Sequence, residues 1–141
     1  MKIHLMSDLH LEFGRGFDIP ETDADIIVLA GDIQVGTKAI PWIKEQTEKP
    51  VIYVAGNHEY YKHRYPDLQD DIREACKDSN IHFLENDSVV IDGVLFIGCT
   101  LWTDYNLCNQ RKVSMYEAKA CMHDFRVIKA HLNESWRKLK P

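Results

Sequence analysis

Short apolar runs separated by polar loops dominate the first part of the chain. Residues 2–6 form a short apolar run with one polar interruption, whereas residues 25–30 and 50–55 form continuous runs rich in β-branched side chains. Continuous runs of this length are typical of strands that are buried on both faces of a parallel sheet. We therefore predict three strands that belong to one parallel sheet.

Two amphipathic helices are predicted around the third strand. In the first, Ile40 and Ile43 lie on one side of a segment that Thr37 could cap. The second begins near Pro66, and its apolar positions follow i, i+4, i+7 and i+8 spacing: Leu68, Ile72, Ala75 and Cys76. Strands that alternate with helices in this way indicate an α/β fold.

The pattern changes after the second helix. Residues 81–84 predict one more short strand, and two further apolar runs, residues 89–91 and 94–97, flank Asp92-Gly93. An Asp-Gly pair tolerates the positive φ angles of a type I′ turn, so this segment predicts a β-hairpin.

Two more helices are predicted in the last third of the chain. Ser114 and Glu117 have the spacing of a helix capping box, which places a helix start at Ser114. Leu132, Trp136 and Leu139 recur at helical spacing and predict a final amphipathic helix.

Composition and charge narrow the class of protein. The 141 residues suit a single domain, residues 1–141. A net charge of -5 does not indicate nucleic-acid binding, which calls for a basic surface. No apolar run is long enough to span a membrane, and no secretory signal is visible. We therefore expect a cytoplasmic protein with no membrane partner.

The cysteines show no CxxC pair; they are Cys76, Cys99, Cys108 and Cys121. In a cytosolic chain such residues are usually reduced thiols that pack as small apolar side chains. A zinc site built from them is the alternative interpretation.

Polar side chains that can bind a metal follow each of the three apolar runs. Asp8 and His10 follow the first run, Asp32 follows the second directly after Gly31, and Asn57 follows the third. The carboxyl ends of parallel strands meet at one edge of a sheet, so these side chains should lie together. If the first loop is extended, Asp8 and His10 point to the same face. Carboxylate, amide and imidazole groups suit a divalent ion, and Asp32 could offer one oxygen to each of two ions.

His58 and Glu59 complete the third loop. Because His58 neighbours Asn57, its side chain should point towards a substrate rather than the metal, where it could protonate a leaving oxygen. Glu59 could orient a neighbouring side chain. Taken singly, an Asp, Asn or His after a strand is more often a turn former or a surface residue. Three successive strand ends with metal-competent side chains favour a functional site.

These motifs resemble those of a known family. Residues 8–10 (Asp-Leu-His), 31–32 (Gly-Asp) and 56–59 (Gly-Asn-His-Glu), in this order and spacing, resemble calcineurin-like metallophosphoesterases. The likeness is strongest to small bacterial and phage phosphohydrolases. It implies a sandwich of two β-sheets flanked by helices and two divalent ions (Mn, Fe, Zn, Ni or Mg). It also implies hydrolysis of a small phosphomonoester or phosphodiester by attack of a metal-bound hydroxide.

The resemblance also implies a role for each matched residue. Asp8, His10 and Asp32 would hold the first ion, and Asp32 and Asn57 would hold the second. His58 would be the acid that assists the leaving group. Many family members have a further Asp three residues after the Gly-Asp pair, where this chain has Val35. That difference affects only a contact that supports the site and none of the metal ligands that the resemblance implies.

The family also has two downstream motifs, a His after a later strand and a Gly-His-x-His, which this sequence does not contain. We therefore expect the N-terminal portion of the family fold, C-terminally truncated, with an exposed apolar surface that favours a homo-oligomer. The other histidines lack the context of a strand end: His4, His63, His82, His123 and His131. A catalytically inactive family member that acts as a binding or regulatory domain is the alternative. An unrelated nucleotide-binding module is disfavoured because neither GxGxxG nor GxxxxGK[ST] occurs.

Overall fold

The computed structural model describes residues 1–14, 16–132 and 135–141. The side chains of residues 131–136, among them His131, lie outside the described part. In chain order the elements are β1 (Ile3–Met6), β2 (Ile26–Ala30), α1 (Ala39–Gln46), β3 (Val51–Val54), β4 (Arg64–Tyr65), α2 (Leu68–Cys76), β5 (Ile81–Phe83), β6 (Asp87–Ile91), β7 (Val94–Gly98), α3 (Arg111–Cys121), α4 (Asp124–Val127), β8 (Lys129–Leu132) and β9 (Ser135–Lys138). Two 3-10 turns, Leu11–Phe13 and His58–Tyr60, lie in the loops after β1 and β3.

The central sheet has the strand order β1-β2-β3-β5, and every neighbouring pair is parallel. Leu5 pairs with Val28, which in turn pairs with Ile52, so the first three strands end at the same edge of the sheet. The α/β fold class and the three predicted parallel strands are therefore confirmed. The loops that carry the candidate site all leave this edge.

Successive residues of β2 face opposite sides of the sheet, as the pleat requires. Ile27 and Leu29 pack in one apolar cluster with Ile43 of α1. Ile26 and Val28 pack in a second cluster that includes Phe96 of β7. The helices thus cover one face and the β6–β7 hairpin contacts the other. Full burial of one Ile or Leu contributes roughly 1.5–3 kcal/mol, so these two clusters hold the strand ends in place.

The hairpin forms where the sequence predicts it. β6 and β7 pair antiparallel with Ile91 opposite Val94. The two turn residues have positive φ angles, 49° at Asp92 and 78° at Gly93. The Asp-Gly pair therefore adopts the positive φ angles that a type I′ turn requires.

The third helix exists but begins earlier than predicted. It starts at Arg111, so Ser114 lies inside the helix, where its hydroxyl donates to the carbonyl of Gln110 at 3.3 Å. A serine in a helix interior often bonds back to the preceding turn in this way. The capping-box spacing was therefore a misleading start signal.

The predicted final helix is wrong. β8 (Lys129–Leu132) pairs parallel with β4, and β9 (Ser135–Lys138) pairs antiparallel with β8. Ile128 and Ala130 are buried and Lys129 between them is exposed, which is the alternation of a strand. Pairing with β4 therefore outweighs the helical spacing of the last apolar residues. Within the described residues, no helix is both long and apolar enough to cross a membrane.

All four cysteines are free thiols, and we expect them to differ in reactivity. Burial raises the pKa of Cys76 to about 11, against the opposing charge of Lys44, whereas Cys108 and Cys121 are exposed. Because the thiolate is the reactive form, a thiol reagent at pH 8 should label Cys108 and Cys121 rapidly. Cys76 should react only after unfolding. Peptide mass mapping of a timed alkylation would test this, and fast labelling of Cys76 in the native chain would contradict it.

Candidate metal centre

The first two loops run side by side at the carboxyl edge of the sheet. The backbone N–H of Asp8 donates to Gly31 at 3.0 Å, and that of His10 donates to Asp32 at 3.0 Å. Both loops follow strands that already pair in parallel, so these bonds extend the pairing beyond the sheet. Asp8, His10 and Asp32 are therefore brought together by the backbone itself.

Three candidate ligands have left-handed backbone conformations. Their φ angles are 56° at Asp8, 48° at His10 and 55° at Asp32. Such angles are uncommon outside glycine, cost roughly 1–3 kcal/mol each and cluster at functional sites. The expectation of an extended segment from Asp8 to His10 is therefore wrong, although the two side chains do approach each other.

The side chains of the first two loops converge with that of His58. A ring nitrogen of His10, a ring nitrogen of His58 and a carboxylate oxygen of Asp32 all lie within 4.8 Å of one another. His10 Nε2 is 4.0 Å from Asp32 Oδ2 and 3.9 Å from Asp8 Oδ1. The Asp8 side chain is 66% exposed and that of Asp32 is 14% exposed, so Asp8 lies at the rim of this group.

The other oxygen of Asp32 is held by the third loop. Asp32 Oδ1 accepts the backbone N–H of His58 at 2.9 Å. A Cβ on Gly56 would lie 2.8 Å from Asp32 N, so only glycine leaves room for this approach. The glycine before Asn57 is therefore required by packing against Asp32.

His58 does not point away from the other candidate ligands. Its ring lies edge-on to that of His10, with centroids 4.4 Å apart, and stacks on Tyr61 at 4.2 Å. Asn57 has a helical φ of -74° and His58 opens a 3-10 turn, so the two side chains do not alternate as in a strand. The expected separation from the metal-competent group is therefore not present.

Sequence reasoning missed Glu12, which joins the two imidazoles. Glu12 Oε1 is 2.8 Å from His58 Nδ1 and 3.1 Å from His10 Nδ1. Burial acts to raise the pKa of Glu12, but the bonds from His58 and His10 outweigh it, and the net pKa lies below the usual value. Glu12 belongs to no motif, and its position two residues after His10 was the available signal.

Sequence reasoning also missed Asp124, the partner of Asn57. Asn57 Nδ2 donates to Asp124 Oδ1 at 2.6 Å and lies 3.3 Å from the Tyr61 hydroxyl. Asp124 is 3% exposed and opens α4, which is far from Asn57 in sequence. Burial, together with the charge of Asp124, raises the pKa of Tyr61 to about 12. With its nitrogen engaged, the amide oxygen of Asn57 is the atom left to bind a ligand.

Removing the Asp124 carboxylate should destabilise the protein. In Asp124→Ala the amide of Asn57 loses a short buried bond, so we expect a loss of roughly 1–3 kcal/mol in the free energy of unfolding. Asp124→Asn keeps the shape and one acceptor oxygen, so it should lose less. Urea unfolding followed by circular dichroism would measure both, and equal midpoints for Asp124→Ala and the wild type would contradict the prediction.

Glu59 accepts hydrogen bonds from the backbone of the second and third loops and does not contact a metal-competent side chain in the hydrogen bonds described. It is fully buried, and it accepts the N–H groups of Asp32 at 3.1 Å, Ile33 at 2.8 Å and Gly56 at 2.8 Å. The hydroxyl of Tyr53 also donates to it, at 3.0 Å. Burial raises the pKa of Glu59, while the bonds from the backbone oppose that rise. One carboxylate therefore ties the second loop to the third.

A cavity of about 730 Å³ opens beside His58 and Glu12. His58 and Tyr61 line one part of it, and Phe13, Lys38 and Lys62 line others. The volume is within the range of small-molecule sites, and the wall combines aromatic rings with two cationic side chains and the carboxylate of Glu12. An anionic ligand could therefore reach His58 from this side.

Comparisons with known proteins identify the family of the chain. The chain is 27% identical over 159 residues to "Uncharacterized protein L509" of Acanthamoeba polyphaga mimivirus. The match covers 97% of this chain and 55% of that protein, so the chain spans about half the length of this curated relative. The family model described as calcineurin-like phosphoesterase matches residues 1–135, which include all three loops. The chain belongs to the calcineurin-like phosphoesterase family.

Proposed function

We propose that this chain contributes a divalent-metal site that hydrolyses a small phosphomonoester or phosphodiester. One observation carries the proposal: at the carboxyl edge of a parallel sheet, His10 Nε2 lies 3.9 Å from Asp8 Oδ1 and 4.0 Å from Asp32 Oδ2. A ring nitrogen of His58 lies within 4.8 Å of ligand atoms of His10 and Asp32, close enough to act beside them. Membership of a phosphoesterase family supports the same chemistry.

The donor set fits a divalent ion of the Mn, Fe, Zn, Ni or Mg type. Carboxylate oxygens and imidazole nitrogens are the ligands such ions prefer, and those of Asp8, His10 and Asp32 converge here from two backbone-paired loops. In this proposal Asp8, His10 and Asp32 hold one ion, and Asp32 and Asn57 hold a second. When bound, the ions supply Lewis-acid activation of water and stabilise charge on the phosphate.

His58 is proposed as the acid for the leaving group. Its Nδ1 is engaged by Glu12, which leaves Nε2 to carry or release a proton. It also lines the cavity beside the site, where a leaving group would be within reach. Lys38 and Lys62, on the wall of the same cavity, would attract an anionic substrate.

Hydrolysis assays with measured metal content test the proposal. Bis-p-nitrophenyl phosphate and p-nitrophenyl phosphate would be offered to the purified 141-residue chain with Mn²⁺, Mg²⁺, Ni²⁺ or Zn²⁺ in turn. The proposal predicts metal-dependent release of nitrophenol, in proportion to the ion bound. An ion bound without turnover would instead support a binding or regulatory role. No ion bound and no turnover would contradict both.

A further inference from the structure

We infer that Glu12 is a positioning residue that sets the tautomers of two imidazoles at once, those of His10 and His58. The inference deepens the proposed function and rests on it for its catalytic meaning. Its geometric basis is independent of any activity: one carboxylate oxygen lies 2.8 Å from Nδ1 of His58 and 3.1 Å from Nδ1 of His10.

The carboxylate determines where the ring protons sit. An ionised carboxylate only accepts hydrogen bonds, so each Nδ1 that contacts Glu12 must carry its hydrogen. In a neutral imidazole the other nitrogen, Nε2, then has the free lone pair. Without Glu12, either nitrogen of each ring could carry the proton.

For His10 this tautomer is the one that suits metal binding. Its Nε2 faces the other candidate ligands, 3.9 Å from Asp8 Oδ1 and 4.0 Å from Asp32 Oδ2. A histidine that binds a metal through one nitrogen commonly donates its other N–H to a carboxylate, which fixes the ring and makes it more basic. Glu12 occupies that position.

For His58 the same contact fixes the orientation of the ring. The Glu12 bond holds one edge, and the ring face stacks on Tyr61 with an interplanar angle of 26°. Nε2 is thereby left as the atom that exchanges a proton with a substrate. Val35 of the second loop lines the same cavity, but its side chain has no hydrogen-bond acceptor. The carboxylate that contacts His58 on this wall is that of Glu12, from the first loop.

The local backbone gives Glu12 its reach to both rings. His10 has a left-handed φ of 48° and is followed directly by the 3-10 turn Leu11–Phe13. The tight turn brings the side chain of Glu12 back onto the ring of His10, and the Glu12 side chain is only 15% exposed. A carboxylate so placed couples the candidate ligand to the candidate acid.

Nitrogen NMR of the metal-free protein tests this inference directly. In ¹⁵N-histidine-labelled protein at pH 8, His10 and His58 should show the pattern of a protonated Nδ1 and an unprotonated Nε2. In Glu12→Ala both rings should shift towards the opposite tautomer, and Glu12→Gln, which keeps an acceptor oxygen, should restore the pattern at least in part. Glu21→Ala, at an exposed glutamate, is the matched control.

Metal affinity provides the second readout. Loss of a carboxylate behind a metal-binding histidine typically costs 10–100-fold in affinity, so Mn²⁺ titration calorimetry should show about that loss for Glu12→Ala. An unchanged histidine pattern in a folded Glu12→Ala protein would overturn the inference. A wild-type chain that binds Mn²⁺ but hydrolyses neither nitrophenyl ester would instead count against the proposed function and leave the tautomer result intact.

Discussion

Asp32→Asn should abolish phosphoester hydrolysis and weaken binding of a divalent ion by at least about 100-fold. Loss of a group that merely supports a ligand costs 10–100-fold, so loss of a charged ligand should cost more. Asp32 is the candidate that both proposed ions share, and its Oδ2 faces His10 at 4.0 Å. Metal content and hydrolysis of bis-p-nitrophenyl phosphate, measured on the same preparation, would show the effect.

Asp78→Asn is the matched control for this substitution. Asp78 lies just after the end of α2, and its side chain is exposed. Its backbone has nearly the same left-handed conformation, with a φ of 53° against 55° for Asp32. It should leave metal binding and hydrolysis unchanged. Full activity in Asp32→Asn would contradict the assignment of Asp32 as a ligand.

Glu59→Gln should lower the free energy of unfolding by roughly 2–6 kcal/mol, because an amide nitrogen would then face buried N–H donors. The glutamate receives three backbone N–H groups and one hydroxyl, and glutamine can match only part of this set. For a chain of this size the change corresponds to a fall in Tm of roughly 10 °C. Differential scanning calorimetry would measure it directly.

The control for this second prediction is Glu45→Gln, the same substitution at an exposed position of α1. Its Tm should stay within about 2 °C of the wild type, since surface substitutions usually change stability by less than 0.5 kcal/mol. If Glu59→Gln were as stable as Glu45→Gln, the view that Glu59 ties the two loops together would be wrong.

The sequence predicted best those features that depend on local pattern. Two continuous apolar runs predicted β2 and β3, and Asp92-Gly93 predicted the hairpin, because both signals concern neighbouring residues. The strand-end positions of Asp8, Asp32 and Asn57 followed from the same logic, since parallel strands end at one edge.

Features that depend on contacts distant in sequence were not predictable in this way. Asp124 reaches Asn57 from a separate helix, and no local spacing relates the two residues. The pairing of β8 with β4 overrode the helical spacing of the last apolar residues. Glu59 ends the third motif, but two of the N–H groups that it accepts belong to Asp32 and Ile33 of the second loop, which no local spacing relates to it.

Backbone conformation was a second source of error. The expectation for Asp8 and His10 assumed an extended chain, whereas both have positive φ angles. At both residues the backbone N–H bonds to the second loop, a contact that the sequence alone does not indicate. The expectation for His58 failed for a related reason, since a 3-10 turn replaced the assumed alternation.

The central claim is that the loops after β1 and β2 form a divalent-metal site. The most direct test is a Mn²⁺ titration of ¹⁵N-labelled protein, because a bound paramagnetic ion broadens the amide signals nearest to it. We expect substoichiometric Mn²⁺ to broaden the amide signals of Asp8, His10 and Asp32 first, and Asp32→Asn to remove the effect. Broadening that begins at the acidic turn of α2, around Asp70 and Asp71, with the three loop residues unaffected, would contradict it.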